Sequence, residues 1–240
     1  MVLKHRLCGG KQRARSESDK AQREQQILDA AEGLFLEHRF HGLTLADVAR
    51  ETGLTKAALY RYFRSKELLF IAVYRRAMTG WASDVEAVGQ DGFPDQFVDR
   101  ILAHPVFCGL TAILHIALET GLSEEEAREF KLFLLAQTRR LTAVIAAATG
   151  QEEAACLRYL MQCQQALIGC WHMSHPPEPA RKAMQVEPLT VFQVEFADTL
   201  RHHLRVLTEA FGGGGPNAFC SDDCRAGKPG YPLTKQKPKH

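Results

Sequence analysis

Seven side chains between residues 44 and 66 are suited to grip a polyanion: Thr44, Thr55, Lys56, Ala57, Tyr60, Tyr62 and Lys66. Thr44, Thr55 and Ser65 each precede a run of helix-forming residues. A hydroxyl in that place caps a helix whose first backbone N–H groups lack intrahelical partners. Lys66 falls in the first turn after Ser65, where exposed N–H groups and the helix dipole favour a phosphate. Thr55, Lys56, Ala57 and Ala58 stand at the front of their helix and are short or polar, which permits close approach to base edges. Arg61 and Arg64 add flanking cations that suit phosphate oxygens. The chemistry on offer is hydrogen bonding and charge neutralisation. Bond-making chemistry has no support, because the chain holds no Gly-rich phosphate loop, no nucleophile elbow and no paired metal-ligand spacing.

Those residues need elements that hold them. Thr44 with Asp47 has the spacing of a capping box, and Leu45, Val48 and Ala49 form the buried stripe of the helix it opens. Gly53 ends that helix by accepting a left-handed conformation. Thr55 caps the next, over about residues 56–62, and Ser65 caps another that runs to about residue 88. Ala46, Val48 and Ala49 meeting Leu54 and Leu59 can brace the pair at a fixed angle. An earlier helix over about 20–38 carries Ile27, Leu28, Ala31, Leu34 and Phe35 at helical spacing. This is the layout of a helix-turn-helix whose second helix lies in a DNA major groove.

The segment resembles the TetR family of one-component transcriptional regulators. The resemblance rests on Thr44, Val48-Ala49, Gly53-Leu54-Thr55, Leu59-Tyr60-Arg61-Tyr62-Phe63 and Arg64-Ser65-Lys66-Glu67-Leu68-Leu69, with Ile27 to Ala31, Leu34-Phe35 and Gly42 upstream. Thr52 stands where Ala is usual, and Ala57 where Gly or Ala is common. The resemblance implies Tyr60 and Lys66 as phosphate contacts and Thr44 as a backbone contact. It implies Thr55, Lys56, Ala57 and Tyr62 as contacts to bases or adjacent phosphates. Leu59 and Phe63 read as core, and Tyr62 can alternatively pack inside. The implied fold is all-α, with an N-terminal three-helix helix-turn-helix domain and a C-terminal helical ligand-binding and dimerisation domain. The implied partners are a double-stranded DNA operator, a small-molecule effector and a second copy of the chain. No cofactor, metal or membrane is expected.

The 240 residues divide into a basic arm at 1–20, the helix-turn-helix domain at 21–75, an effector-binding and dimerisation domain at 76–211, and a Gly- and Pro-rich tail at 212–240. Arm and tail read as disordered. The arm adds phosphate contacts or merely aids solubility; both readings stay open. Further helices are expected over about 95–103, 106–120, 123–148, 152–174 and 188–211, with a loop at His175–Pro179. Ser123 with Glu126 repeats the capping-box pattern. Trp81, Phe97, Phe107, His115, Phe133 and Trp171 are the candidates for an effector pocket, with plain core packing as the competing reading of each.

Net charge is only +2, so any nucleic-acid surface must come from local clustering. No run approaches the ~18 apolar residues of a membrane span, and no secretory signal is evident, so the cytoplasm is the expected location. The 7 cysteines are odd in number and scattered, which suits free thiols in a reducing compartment. Cys156, Cys163 and Cys170 recur on one helix stripe, so a redox- or metal-responsive regulator is the alternative function. Cys220 and Cys224 lack a matching second pair for zinc.

Overall fold

The computed structural model describes residues 9–38, 40–87, 93 and 95–213, and shows no strand among them. Helix α1 (Gly9–His38) leads through a short 3-10 turn at Phe40–Gly42 into α2 (Leu45–Glu51) and α3 (Lys56–Tyr60). The long α4 (Lys66–Glu86) follows. Next come α5 (Asp95–Leu102) and α6 (Pro105–Ile113), then a π-helical turn at Leu114–Leu118 and a 3-10 turn at Glu119–Gly121. The chain closes with α7 (Glu124–Thr149), α8 (Glu153–Ser174), α9 (Glu178–Ala183) and α10 (Phe196–Gly213). The expected all-α class with an N-terminal helix-turn-helix is therefore the observed one.

Local chemistry sets most of these boundaries. Both capping boxes form: Thr44 with Asp47 opens α2, and Ser123 with Glu126 opens α7. Thr55 accepts the Ala58 N–H at 3.1 Å, and Ser65 accepts the Leu68 N–H at 3.2 Å. Gly53 and Gly150 end their helices at φ 65° and 67°, a region that costs any residue with a Cβ.

The core is continuous through the described residues. Ile27, Leu28, Ala31 and Phe35 of α1 pack in one cluster with Val48, Leu59 and Phe70, and that cluster extends through α4 into α8 and α10. Phe40 meets Phe70 edge-on at 5.3 Å. Arg76 of α4 fastens α1 by pairing with Asp29 at 2.6 Å and with Glu32. On the far side, Tyr159 of α8 stacks on Phe211 of α10 at 4.6 Å and shares a 2.8 Å hydrogen bond with Thr208.

The observed helix bounds bear on four expectations. First, α1 starts at Gly9, so residues 9–20 extend the helix instead of forming a disordered arm. The stretch has no proline, and Lys11, Gln12, Arg13, Ala14, Arg15, Glu17 and Lys20 favour helix without needing a buried face. Residues 1–8 and the tail beyond Gly213 lie outside the described residues. Second, α4 runs through residue 75 unbroken, as the helix expected to reach about residue 88 requires. Third, α9 starts at Glu178, inside the loop expected at 175–179, with Pro177 at its cap and Pro179 in its first turn. Proline is tolerated there because those N–H groups have no intrahelical partner. Fourth, the helix expected over 188–211 begins only at Phe196, where the Glu195 carboxylate accepts the Asp198 N–H at 2.8 Å. Pro188 and the β-branched Thr190, Val191 and Val194 disfavour a longer helix. A short 3-10 turn at Leu189–Phe192 stands there, with Val191 and Phe192 exposed.

Candidate nucleic-acid interface and effector cavity

The turn between α2 and α3 is fastened at both ends. The Leu54 N–H donates to the Ala49 carbonyl at 2.9 Å. Thr52, the unusual residue at its position, donates its hydroxyl to the Val48 carbonyl at 2.8 Å, so its polarity is satisfied. Leu59 and Phe63 are buried, as expected, and pin α3 to the core. Thr55, Lys56, Ala57, Tyr60 and Arg61 are all exposed, and together they form one outward face. The Lys56 ammonium lies 5.8 Å from the centre of the Tyr60 ring. Tyr62 is half-buried and packs on the core. Thr44 is exposed, and its N–H and hydroxyl both donate to Asp47, at 3.0 and 2.7 Å. Those two bonds, the hydroxyl's first, hold the Asp47 carboxyl below the usual carboxylate range, with Arg50 adding to the effect.

Lys66 does more than its position implies. Its ammonium donates to the Phe40 and Leu43 carbonyls, at 3.0 and 3.1 Å, and sits 4.0 Å from the Phe40 ring. The turn after α1 leaves carbonyls that no helix satisfies, and a long side chain with three donors meets them. Two of those three donors are therefore turned inward. Lys66 fixes the α1–α2 connection against the start of α4, and its third N–H is left for the phosphate contact that its position implies. Arg64 is likewise engaged, pairing with Glu126 of α7. The Ser123 N–H and hydroxyl, and then Arg64, hold the Glu126 carboxyl below its usual range.

A cavity of about 280 Å³ opens between α4, α5, α6, α7 and α8. Trp81, Phe97, Phe107 and His115 line it, as the sequence suggested. Trp81 and Phe107 stack at 4.4 Å and 16°, and Phe107 stacks in turn on Tyr74 at 5.9 Å. Two expected liners fall elsewhere. Phe133 stacks on Phe130, with the Arg75 guanidinium 4.8 Å from its ring centre. Trp171 stacks on His175 at 4.0 Å and closes against α6. A Cβ on Gly109 would lie 2.8 Å from Trp171 and 2.9 Å from Phe35, so that glycine permits α1, α6 and α8 to meet.

The polar liners Tyr74, Thr111, Lys131, Thr138 and Gln164 escaped the sequence reading. A signal existed for Tyr74, since Tyr74, Met78 and Trp81 follow helical spacing on α4. The π-helical turn sets Leu114 and His115 at the cavity edge, a placement in keeping with such turns at functional sites. His115 donates or accepts at Nδ1 with Glu119 at 3.1 Å, and Glu119 also takes the Lys131 ammonium at 2.6 Å.

Two family models cover this architecture. "Bacterial regulatory proteins, tetR family" matches residues 27–73, and "Tetracyclin repressor-like, C-terminal domain" matches residues 70–209. The chain belongs to the TetR family. It is thus a DNA-binding transcriptional regulator and not an enzyme. Among relatives of this TetR-family chain, the HTH-type transcriptional regulator RutR of Escherichia coli K12 is 28% identical over 196 residues, covering 80% of this chain and 81% of RutR. The HTH-type transcriptional repressor AcnR of Corynebacterium diphtheriae is 32% identical over 90 residues, covering 38% of this chain and 45% of AcnR. A solved structure assigned to the family, from Mesorhizobium loti, superposes with a TM-score of 0.52 at 16% identity, over 80% of this chain and 95% of that one, and supports the fold.

The cysteines of this TetR-family chain read against thiol sensing. Cys108, Cys156, Cys163 and Cys170 are buried and unpaired, and the stripe on α8 faces its own core. Burial pushes the Cys108 and Cys163 thiols up to about 12, and raises Cys156 and Cys170 as well. A reactive thiol needs the opposite, a thiolate favoured near neutral pH. Cys8, Cys220 and Cys224 lie outside the described residues. No single helix among the described residues is long and apolar enough to cross a membrane.

Proposed function

We propose that this TetR-family regulator is a ligand-responsive repressor, acting as a homodimer on a palindromic operator in the cytoplasm. One observation carries the ligand response. Helix α4 starts beside the reading helix, where Lys66 holds the α1–α2 connection, and further along the same helix Tyr74, Met78 and Trp81 line the cavity. A body lodged there presses on the element that sets the head. The effector must bind the geometry that misfits DNA more tightly than the one that fits, or nothing shifts. The repressor sense is supported by AcnR, itself named a repressor.

Residues 21–75 serve as the DNA-binding unit and 76–211 as the effector and dimer unit. Thr55, Lys56 and Ala57 face bases, with Tyr60 and the start of α2 at Thr44 on the backbone. A two-fold dimer sets its heads ~34 Å apart, or a multiple of that. The test is selection of bound DNA from a random pool, followed by footprinting of the winner and repetition with candidate metabolites. The expected winner is one palindrome with one footprint. Recovery of unrelated sequences, or a footprint that spreads with protein concentration, would overturn the operator reading.

A further inference from the structure

The cavity lining has a chemical signature. Among the described residues no Asp or Glu lines it, whereas Lys131 and His115 do. Both stand at its solvent side, with side chains 52% and 54% exposed, while Trp81 and Phe107 inside are buried. Glu119 lies behind that pair with both carboxylate oxygens taken, one by Lys131 and the other by His115. Its charge is thereby already compensated by that pair, while the Lys131 ammonium keeps two of its three N–H donors. Deeper in, Trp81 Nε1 is a buried donor without a hydrogen-bond partner among the described residues. Such a group is costly unless something accepts from it. The walls beside it are stacked aromatic rings, and a volume of about 280 Å³ suits a one- or two-ring body.

We infer that the effector is a small aromatic carboxylic acid. Its ring system lies against Trp81 and Phe107, and its carboxylate meets Lys131 and His115 at the solvent side. This inference rests on the ligand-responsive reading for its biological meaning, but the binding chemistry stands apart from it. A cationic ligand loses its hydration in this cavity and finds no carboxylate in exchange.

The full-length protein is titrated with benzoate, indole-3-carboxylate and 2-naphthoate, followed by calorimetry and by quenching of tryptophan fluorescence. The neutral 2-naphthamide and the cationic 2-naphthylmethylammonium serve as isosteres. At least one acid is expected to bind, with 2-naphthoate ahead of the amide by on the order of ten-fold and the ammonium weakest. Lys131→Met should bring the acid-to-amide ratio close to one, and Trp81→Phe should weaken both acid and amide. No binding by any acid, an ammonium that binds as well as the acid, or a ratio indifferent to Lys131→Met overturns the inference. Release of operator DNA is scored separately. Acid-selective binding without release keeps the ligand class and overturns the ligand-responsive function. Release by a cationic metabolite acting through the cavity, with no acid binding, does the reverse.

Discussion

The DNA head and the effector cavity are built by different rules. The head is assembled from neighbours in sequence: Thr44 with Asp47, Thr55 with Ala58, Ser65 with Leu68, and the left-handed Gly53 between two helices. The cavity has no comparable local grammar. Tyr74, Phe97, Phe107, Lys131 and Leu167 come from five helices and meet only because those helices pack. A head of the first kind tolerates change elsewhere and fails when one turn is disturbed. A cavity of the second kind can alter its lining while the fold stays intact. The two touch where Lys66 reaches back to Phe40 and Leu43, and where Arg64 meets Glu126.

The largest effect is expected at that junction. Lys66→Met leaves two carbonyls short of a charge-assisted donor, which costs about 2 kcal/mol and lowers Tm by roughly 4–8 °C in a chain of this size. Operator and random DNA should weaken together, as the α1–α2 connection loosens. A variant with unchanged Tm whose DNA affinity alone falls would show that Lys66 is a phosphate anchor only. Calorimetric melting beside a DNA titration separates the two outcomes.

Gly53→Val asks whether the head fails alone. A β-branched residue at φ 65° is strained, by about 2 kcal/mol. Operator affinity should fall on the order of 30-fold, while the cavity still binds its ligand. Equal loss at both sites would contradict the local character of the head.

Lys56→Ala sharpens the division inside the head. Lys56 is exposed, so Tm should stay within about 1 °C. Affinity for the preferred operator should drop by about 1–2 kcal/mol, with relaxed choice at one base pair. A uniform loss across all sequences, accompanied by a salt slope smaller by about 1, would mark it as a phosphate contact instead.

The smallest effect concerns pH. Asp47 and Glu126 both have depressed carboxyls in the folded chain. Their capping contribution is fully present above the ordinary values of 3.8 and 4.5 and is lost as pH falls through the lower folded values. The amide protection factors at the starts of α2 and α7, which are corrected for the intrinsic pH dependence of exchange, should therefore be flat from pH 8 to about 5.5 and fall only in stronger acid. A fall already at neutral pH would mean that the caps do not hold these helix starts.

The sequence made the head legible because its hydrogen bonds join residues three or four apart. That spacing fixed α2, α3 and the start of α4 to within a residue or two, and the exposed face of Thr55, Lys56, Ala57 and Tyr60 followed. Trp81, Phe97, Phe107 and His115 were legible as cavity candidates because bulky and polar side chains stood on helices the resemblance placed there. Phe133 and Trp171 were indistinguishable from them on that basis, yet one packs under Arg75 and the other fills the gap over Gly109. The direction of the Lys66 ammonium was equally hidden, since its carbonyl partners lie more than twenty residues upstream.

By itself, then, the sequence determined the class of molecule and the exposed face proposed to meet DNA, because caps, turns and helical stripes are written in adjacent residues. The tertiary structure alone decided which way Lys66 points, that the α8 cysteines are buried, and that an acid-free, aromatic cavity opens beside Lys131. Those outcomes depend on which helices meet, and packing between distant segments leaves no periodic mark in the chain.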